Sequence, residues 1–316
     1  MRCLIVDDVH PVLIQTLRLE GIDVDYQPEY DHLKEYMEYE VSILVLRSKF
    51  FVDSEFLTRF PKLRIIARAG AGLDNIDVEA AAQAGIEVLH AAEGNADAVA
   101  EHTIGLMLAL LNRFIPADQS VRSGNWKREA YRGKELNQQT VGLLGFGNMG
   151  QAVARRLLAF GCKVLSYDKY IESWPEPKVQ RVELSELLSE SGVLSLHIPL
   201  TPETTGMVNP DFLGRCRKGA FFLNTSRGAI VSMEAMVQHM ESGAFSGAAF
   251  DVFDQEPPPK KGQRNFEIYE RLFARNDVLL TPHVAGWSTE SYEKISAVLG
   301  RKILALCRQE IRDERL

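Results

Sequence analysis

The sequence predicts an α/β protein built from two doubly wound parallel-sheet domains, on three observations. Short apolar strands alternate with helical segments over residues 1–90, and a second such series fills residues 140–280. Alternation at that spacing implies parallel strands covered by helices on both faces. At 316 residues, the chain also exceeds the size at which a single hydrophobic core keeps growing.

In the first region, residues 3–6, 24–26, 43–46, 63–67 and 86–89 read as strands, with helices expected at 12–19 and 78–84. The fourth strand runs into Arg68-Ala-Gly-Ala-Gly-Leu-Asp-Asn-Ile-Asp77. Its small residues Ala69, Gly70, Ala71 and Gly72 expose successive N–H groups that can form an anion-binding nest, or simply connect a strand to a helix. From Gly94 to about Arg113 the chain predicts a helix that is apolar almost all round and therefore buried. A domain boundary is expected just before it and a subunit interface along it. His102, inside that helix, reads as structural.

Thr140-Val-Gly-Leu-Leu-Gly145-Phe-Gly147-Asn-Met-Gly150 then joins a strand to a glycine turn, and Ala152, Val153, Leu157 and Leu158 follow at helical spacing. Strand, Gly-x-Gly-x-x-Gly and helix in this order form the phosphate-binding opening of a dinucleotide unit. Asp168 closes the next strand (163–167), where a carboxylate can accept from ribose hydroxyls. A 2′-phosphate there would meet like charge, which favours NAD over NADP, although Lys169 next door weakens that preference. Further strands are expected at 193–197, 220–224, 248–251 and 277–280, with helices at 184–189 and 234–241. Residues 257–263 read as an exposed loop. Residues 290–307 read as a helix with Ile295, Val298, Leu299, Ile303 and Leu306 on one face.

Three constellations sit at strand ends, where open parallel sheets bind their ligands. Asn224-Thr-Ser-Arg227-Gly228 offers a guanidinium fork that can clamp a carboxylate. Asp251-Val-Phe-Asp-Gln-Glu256-Pro257 and Thr281-Pro-His283 supply a carboxylate and an imidazole that could pair, the acid orienting the ring and favouring its protonated form. Such a histidine protonates a carbonyl oxygen whose carbon receives a hydride, and removes the proton in reverse.

A net charge of −7 argues against nucleic acid as the main partner. Cys3, Cys162, Cys216 and Cys307 lack metal-ligand spacing, so no metal is expected and the thiols read as buried and free. The chain opens directly as a strand and its apolar runs are short, so a cytoplasmic protein without membrane partners is expected.

With these motifs in order, adding Val99-Ala-Glu101 and Leu196-His-Ile-Pro-Leu200, the chain resembles the D-isomer-specific 2-hydroxyacid dehydrogenase family over nearly its whole length. The resemblance implies a flavodoxin-like substrate domain, residues 1–92 with 284–316, into which a Rossmann NAD-binding domain, residues 93–283, is inserted. It implies Arg227, Glu256 and His283 as catalytic residues, with Ala69, Gly70, Ala71 and Gly72 holding the substrate carboxylate. Gly145, Gly147, Asn148, Met149, Gly150, Asp168, His197, Ile198, Pro199, Thr225, Ser226 and Asp251 match positions around NAD. A homodimer is also implied.

Leu46-Arg47-Ser48, Gly124-Asn-Trp-Lys and Arg132-Gly-Lys-Glu-Leu136 look most like the 3-phosphoglycerate dehydrogenases of that family, with Arg47 a phosphate or carboxylate contact. Val284-Ala-Gly-Trp287 departs from their pattern, which puts glyoxylate or hydroxypyruvate reduction beside phosphoglycerate as an alternative. An NAD-sensing corepressor-like scaffold is the alternative of another class, disfavoured because such a protein is expected to carry disordered interaction tails, which this sequence does not show. A catalytically dead relative is disfavoured by the presence of Arg227, Glu256 and His283.

Overall fold

Alternate side chains along a strand face opposite sides of a sheet, and in this chain both sides are apolar. A computed structural model, describing residues 1–29 and 40–313, shows where those faces go. The elements run β1 (Arg2–Ile5), α1 (Pro11–Leu19), β2 (Asp23–Tyr26), β3 (Val41–Leu46), α2 (Ser54–Leu57), β4 (Ile65–Arg68), α3 (Val78–Gln83) and β5 (Glu87–His90). Helix α4 (Ala92–Leu111) and α5 (Phe114–Arg122) lead to β6 (Thr140–Leu144), α6 (Asn148–Ala159), β7 (Lys163–Tyr167), β8 (Gln180–Arg181), α7 (Leu184–Glu190) and β9 (Val193–Leu196). Then come α8 (Pro210–Gly214), β10 (Ala220–Asn224), α9 (Met233–Glu241), β11 (Phe245–Phe250), α10 (Phe266–Phe273), β12 (Val278–Leu280) and α11 (Thr289–Asp313).

The chain divides into two units, residues 1–96 with 287–316, and residues 97–286. The division lies inside α4. Its first turn belongs with α11, close enough that a Cβ added at Gly94 would stand 2.6 Å from the backbone of Ile295.

The first unit holds a five-stranded parallel sheet ordered β2-β1-β3-β4-β5, the flavodoxin-like order. Cys3, Ile5, Ile43, Val45 and Ile65 face α1 and α11, where Ile295, Leu299, Ile303 and Cys307 recur every four residues. Leu4, Val6, Leu44, Leu46 and Ile66 face the other way, onto Phe56, Phe60 and Ala81. Helices α2 and α3 start where Asp53 and Asp77 accept the N–H groups of Phe56 (2.8 Å) and Ala80 (2.9 Å). Burial pushes the Cys3 thiol up to about 12, with Cys307 adding to the shift.

The second unit holds a seven-stranded parallel sheet ordered β12-β11-β10-β9-β6-β7-β8. Counted from β6, this is the doubly wound 3-2-1-4-5-6 order with one further strand, and its switch point lies between β6 and β9. Phe222, Phe250, Leu194 and Leu196 pack with Met236, Val237, Tyr269 and Leu272 on one face.

Most strands and long helices lie within about two residues of where the sequence puts them, but β11 begins at Phe245, three residues before the expected 248, and α11 runs on to Asp313, six past the expected 307. Helices α2, α5, α8 and α10 and strand β8 carry weaker signals. Helix α10 follows Asn265, a left-handed residue (φ 65°) without a side-chain cap, so it lacks a start signal. Strand β8 is two exposed residues at a sheet edge. Among the described residues no single helix is long and apolar enough to cross a membrane.

Candidate active site

Strand β6 enters the glycine turn, whose geometry leaves room where a phosphate would need it. A Cβ at Gly145, which has φ 97°, would meet the His197 carbonyl oxygen at 2.4 Å, and one at Gly150 would meet the Gly145 carbonyl at 2.3 Å. The space around Gly147 is open to at least 4 Å. Helix α6 begins behind it with no side-chain cap and no acid in its first turn, so its first N–H groups remain for an anion. Phe146, fully buried between the glycines, stacks on Trp174 at 4.5 Å and anchors the turn from below. The Asp168 carboxylate accepts from the N–H groups of Phe146 (2.8 Å) and Tyr170 (2.9 Å), one per oxygen. Lone pairs therefore remain for hydroxyls.

Three adjacent strands, β10, β11 and β12, deliver the other groups from their C-terminal ends. Buried Asn224 closes β10 and shapes the turn that follows: its Oδ1 accepts from Ser226 N (3.0 Å) and its Nδ2 donates to Arg227 O (2.9 Å). The Arg227 guanidinium donates from Nη1 to Ser226 O (2.7 Å). Gly228 lets this turn lie against the next strand's loop, since a Cβ there would fall 1.8 Å from the Phe253 carbonyl carbon.

Asp251, 1% exposed after β11, ties down the segment after β12. Its carboxylate accepts from Thr281 Oγ1 (2.5 Å), Val284 N (2.9 Å) and Ala285 N (2.8 Å), and its carbonyl accepts from His283 N (2.8 Å). These bonds hold His283 at φ 56°, a left-handed conformation that costs a non-glycine residue about 1–2 kcal/mol. Glu256 Oε1 accepts from Phe253 N (3.0 Å), and Oε2 lies 2.6 Å from His283 Nδ1. Burial alone would raise the Glu256 carboxyl, but the His283 bond, the Phe253 N–H and the charges of His283 and Arg227 outweigh it and hold the group below its ordinary range. An ionised carboxylate only accepts, so Nδ1 carries a proton and Nε2 is the nitrogen available for proton transfer. The arrangement can donate and accept a proton beside a cation suited to a carboxylate.

Residues 104–285 match the family model described as D-isomer specific 2-hydroxyacid dehydrogenase, NAD binding domain. This chain belongs to that family. A hydroxypyruvate reductase from Thermotoga maritima is 40% identical over 264 residues, 84% of each chain. A D-3-phosphoglycerate dehydrogenase from Archaeoglobus fulgidus is 33% identical over 313 residues, 98% of this chain; this chain spans only 58% of that relative's length. The solved D-lactate dehydrogenase from Aquifex aeolicus, complexed with NAD and lactic acid, superposes with a TM-score of 0.84 at 28% identity, over 99% of this chain and 97% of that one. The protein is thus an NAD-dependent oxidoreductase acting on a CH–OH group.

The turn and Asp168 fit NAD: Gly147, Asn148 and Met149 would take the pyrophosphate and Asp168 the ribose. Bound there, NAD supplies the hydride acceptor or donor. Lys169, next to the acid, is itself paired with Glu203 (2.5 Å), which also accepts from Tyr170, so the sequence's one reason to doubt NAD is neutralised. Ile198 packs against Gly145, and Pro199 is exposed beyond it.

The side chains of two residues expected around the cofactor turn inward. Ser226, 7% exposed, donates to Leu196 O (2.7 Å). His197 points into the core, where its Nε2 pairs with buried Ser195 (2.9 Å), two residues back on the same face of the strand. Only its carbonyl touches the turn. Burial lowers the His197 imidazole to about 4. The folded ring stays neutral while an unfolded one, near 6.5, takes a proton as pH falls. Stability is therefore full above about pH 6.5 and is lost down to about pH 4, by roughly 3 kcal/mol. Urea unfolding at pH 7 and pH 5 should show the loss in the parent and a flatter slope in His197→Gln; equal slopes would refute it.

In the first unit, the expected nest is half closed. Ala69 N bonds Leu46 O (2.8 Å) and Gly70 N bonds Arg68 O (2.9 Å), whereas Ala71 and Gly72 make no such backbone bond among the described residues. Arg47 follows β3 beside this loop, since Leu46 pairs with Arg68, and its guanidinium stacks 4.2 Å from the Trp287 ring. Asn224, Thr281 and Gly228 shape the second unit's site, yet the sequence assigns them no role.

Proposed function

We propose that this chain interconverts D-3-phosphoglycerate and 3-phosphohydroxypyruvate. Arg227 takes the substrate carboxylate in its fork. His283 Nε2 removes the C2 hydroxyl proton in oxidation and returns it in reduction, and Glu256 stabilises the imidazolium between those events. The observation that carries the phosphorylated substrate is Arg47 on Trp287. One sheet edge of the first unit offers two anion-binding elements, the N–H groups of Ala71 and Gly72 and the guanidinium of Arg47, which pairs with no carboxylate among the described residues. The acids nearby are already engaged. Asp7 accepts from the backbone of Arg47 (2.5 Å) and Lys49 (3.4 Å), and Asp8 accepts from Tyr26 (3.1 Å) and Tyr292 (2.8 Å). An anion-binding element beyond Arg227 suits a substrate that carries a phosphate as well as a carboxylate; glyoxylate has no second anion.

A second reading, reduction of hydroxypyruvate or glyoxylate, is favoured by the 40% identity to the Thermotoga reductase over most of both chains. Relative kcat/KM for 3-phosphohydroxypyruvate, hydroxypyruvate and glyoxylate decides between them. The phosphorylated acid should lead, and Arg47→Ala should remove its lead. A higher value for either unphosphorylated acid would replace the first reading with the second.

We further propose a homodimer formed through α5 and the turn after it. Helix α4 is largely covered within the chain, whereas Phe114, Ile115, Val121 and Trp126 stand 49–78% exposed. Sedimentation of a dilute sample tests this, and a monomer at every concentration would overturn it.

A further inference from the structure

We propose that His102 and Thr103, neighbours on α4, are positioning residues that hold the Arg227 and His283 loops in register across the ends of β10 and β12. The inference rests on the roles given to Arg227 and His283 above.

His102 Nε2 lies 3.1 Å from Thr281 Oγ1 and 3.7 Å from Asp251 Oδ1. Thr281 has one hydroxyl proton, and at 2.5 Å it goes to the Asp251 carboxylate, which can only accept. Thr281 Oγ1 must therefore accept from His102 Nε2–H. Thr103 presents the opposite sense. Its hydroxyl, fully buried, donates to Val99 O (2.7 Å), so at 3.2 Å it accepts from Thr225 Oγ1.

Thr281 stands two residues before His283, and Thr225 two residues before Arg227. Adjacent side chains of one helix thus give a donor to one loop and an acceptor to the other. The helix is fixed on this unit by Arg156, which bonds Asp97 and Glu101 at 3.0 Å each. The His102 contact also survives protonation of the ring, because Nε2 donates in both states.

Steady-state kinetics of His102→Leu, His102→Gln and Thr103→Val with NADH and the best oxo acid, alongside thermal melts, test the inference. His102→Leu should lower kcat about tenfold with KM for the oxo acid within about twofold, since small displacements of a proton-transfer group are costly. His102→Gln, which keeps a donor, should recover most of that loss. Thr103→Val should instead raise KM for the oxo acid several-fold, through Arg227. Should the leucine variant fail to fold, His102→Asn replaces it, its shorter amide stopping short of Thr281.

Parental kcat in His102→Leu, or both variants losing kcat and KM in step with melting temperature, would overturn the proposal. His283→Ala separates the two failures. If it keeps kcat, the acid–base reading falls and takes this inference with it. If it loses kcat while His102→Leu does not, only the positioning role falls.

Discussion

His283→Ala is expected to lower kcat by about 10²–10⁴-fold, the usual worth of a positioned acid–base, while NADH binding changes by less than about twofold. The two effects separate because the groups that fit the cofactor are carried by other strands. The turn follows β6 and Asp168 follows β7, and neither bonds the His283 loop. Nothing else in the second unit's site offers a titrating nitrogen in the same place. His102 is committed to Thr281 and His197 is turned into the core. The exposed setting of the Glu256–His283 pair, with side chains 36% and 50% accessible, means that its loss should cost little stability. Stopped-flow reduction and a fluorescence titration of NADH check both halves, and a kcat within twofold of the parent would remove His283 from the chemistry.

Arg227→Lys should cost kcat/KM for the oxo acid about 10²-fold, with much of the loss in KM. A guanidinium gives two parallel N–H bonds to a carboxylate from a plane, whereas an ammonium is a point charge without that fork. The lysine also loses the Nη1 bond to Ser226 O that orients the parent side chain. Two decades correspond to about 3 kcal/mol of transition-state binding. Unaltered KM and kcat would make Arg227 structural.

The groups offered for chemistry are legible in the sequence for a local reason. Arg227, Glu256 and His283 each follow an apolar strand within a few residues, and strand ends are where such sheets present ligands. The two sheets are legible likewise, because strands buried on both faces read as continuous apolar runs. What holds the site in shape is not local. His102 meets Thr281 across 179 residues and Thr103 meets Thr225 across 122, and a hydroxyl or an imidazole on an apolar helix has no spacing that announces its partner. His197 misleads for the opposite reason. It stands at a strand end like the others, but its face of the strand is the inner one, shared with Ser195.

The wiring of residues 281–285 has a consequence for how this enzyme could change its diet. Asp251 grips Val284 and Ala285 by their backbone N–H groups alone, so the grip does not depend on the side chain at the half-buried position 284, whereas Ala285 is buried and its side chain is confined by packing. Trp287, beside them in sequence, stacks on Arg47 and belongs to the first unit. On the function proposed above, substrate preference can therefore drift, or be selected in the laboratory, by substitutions at Trp287, while the backbone grip of Asp251 on residues 284 and 285 is inherited unchanged.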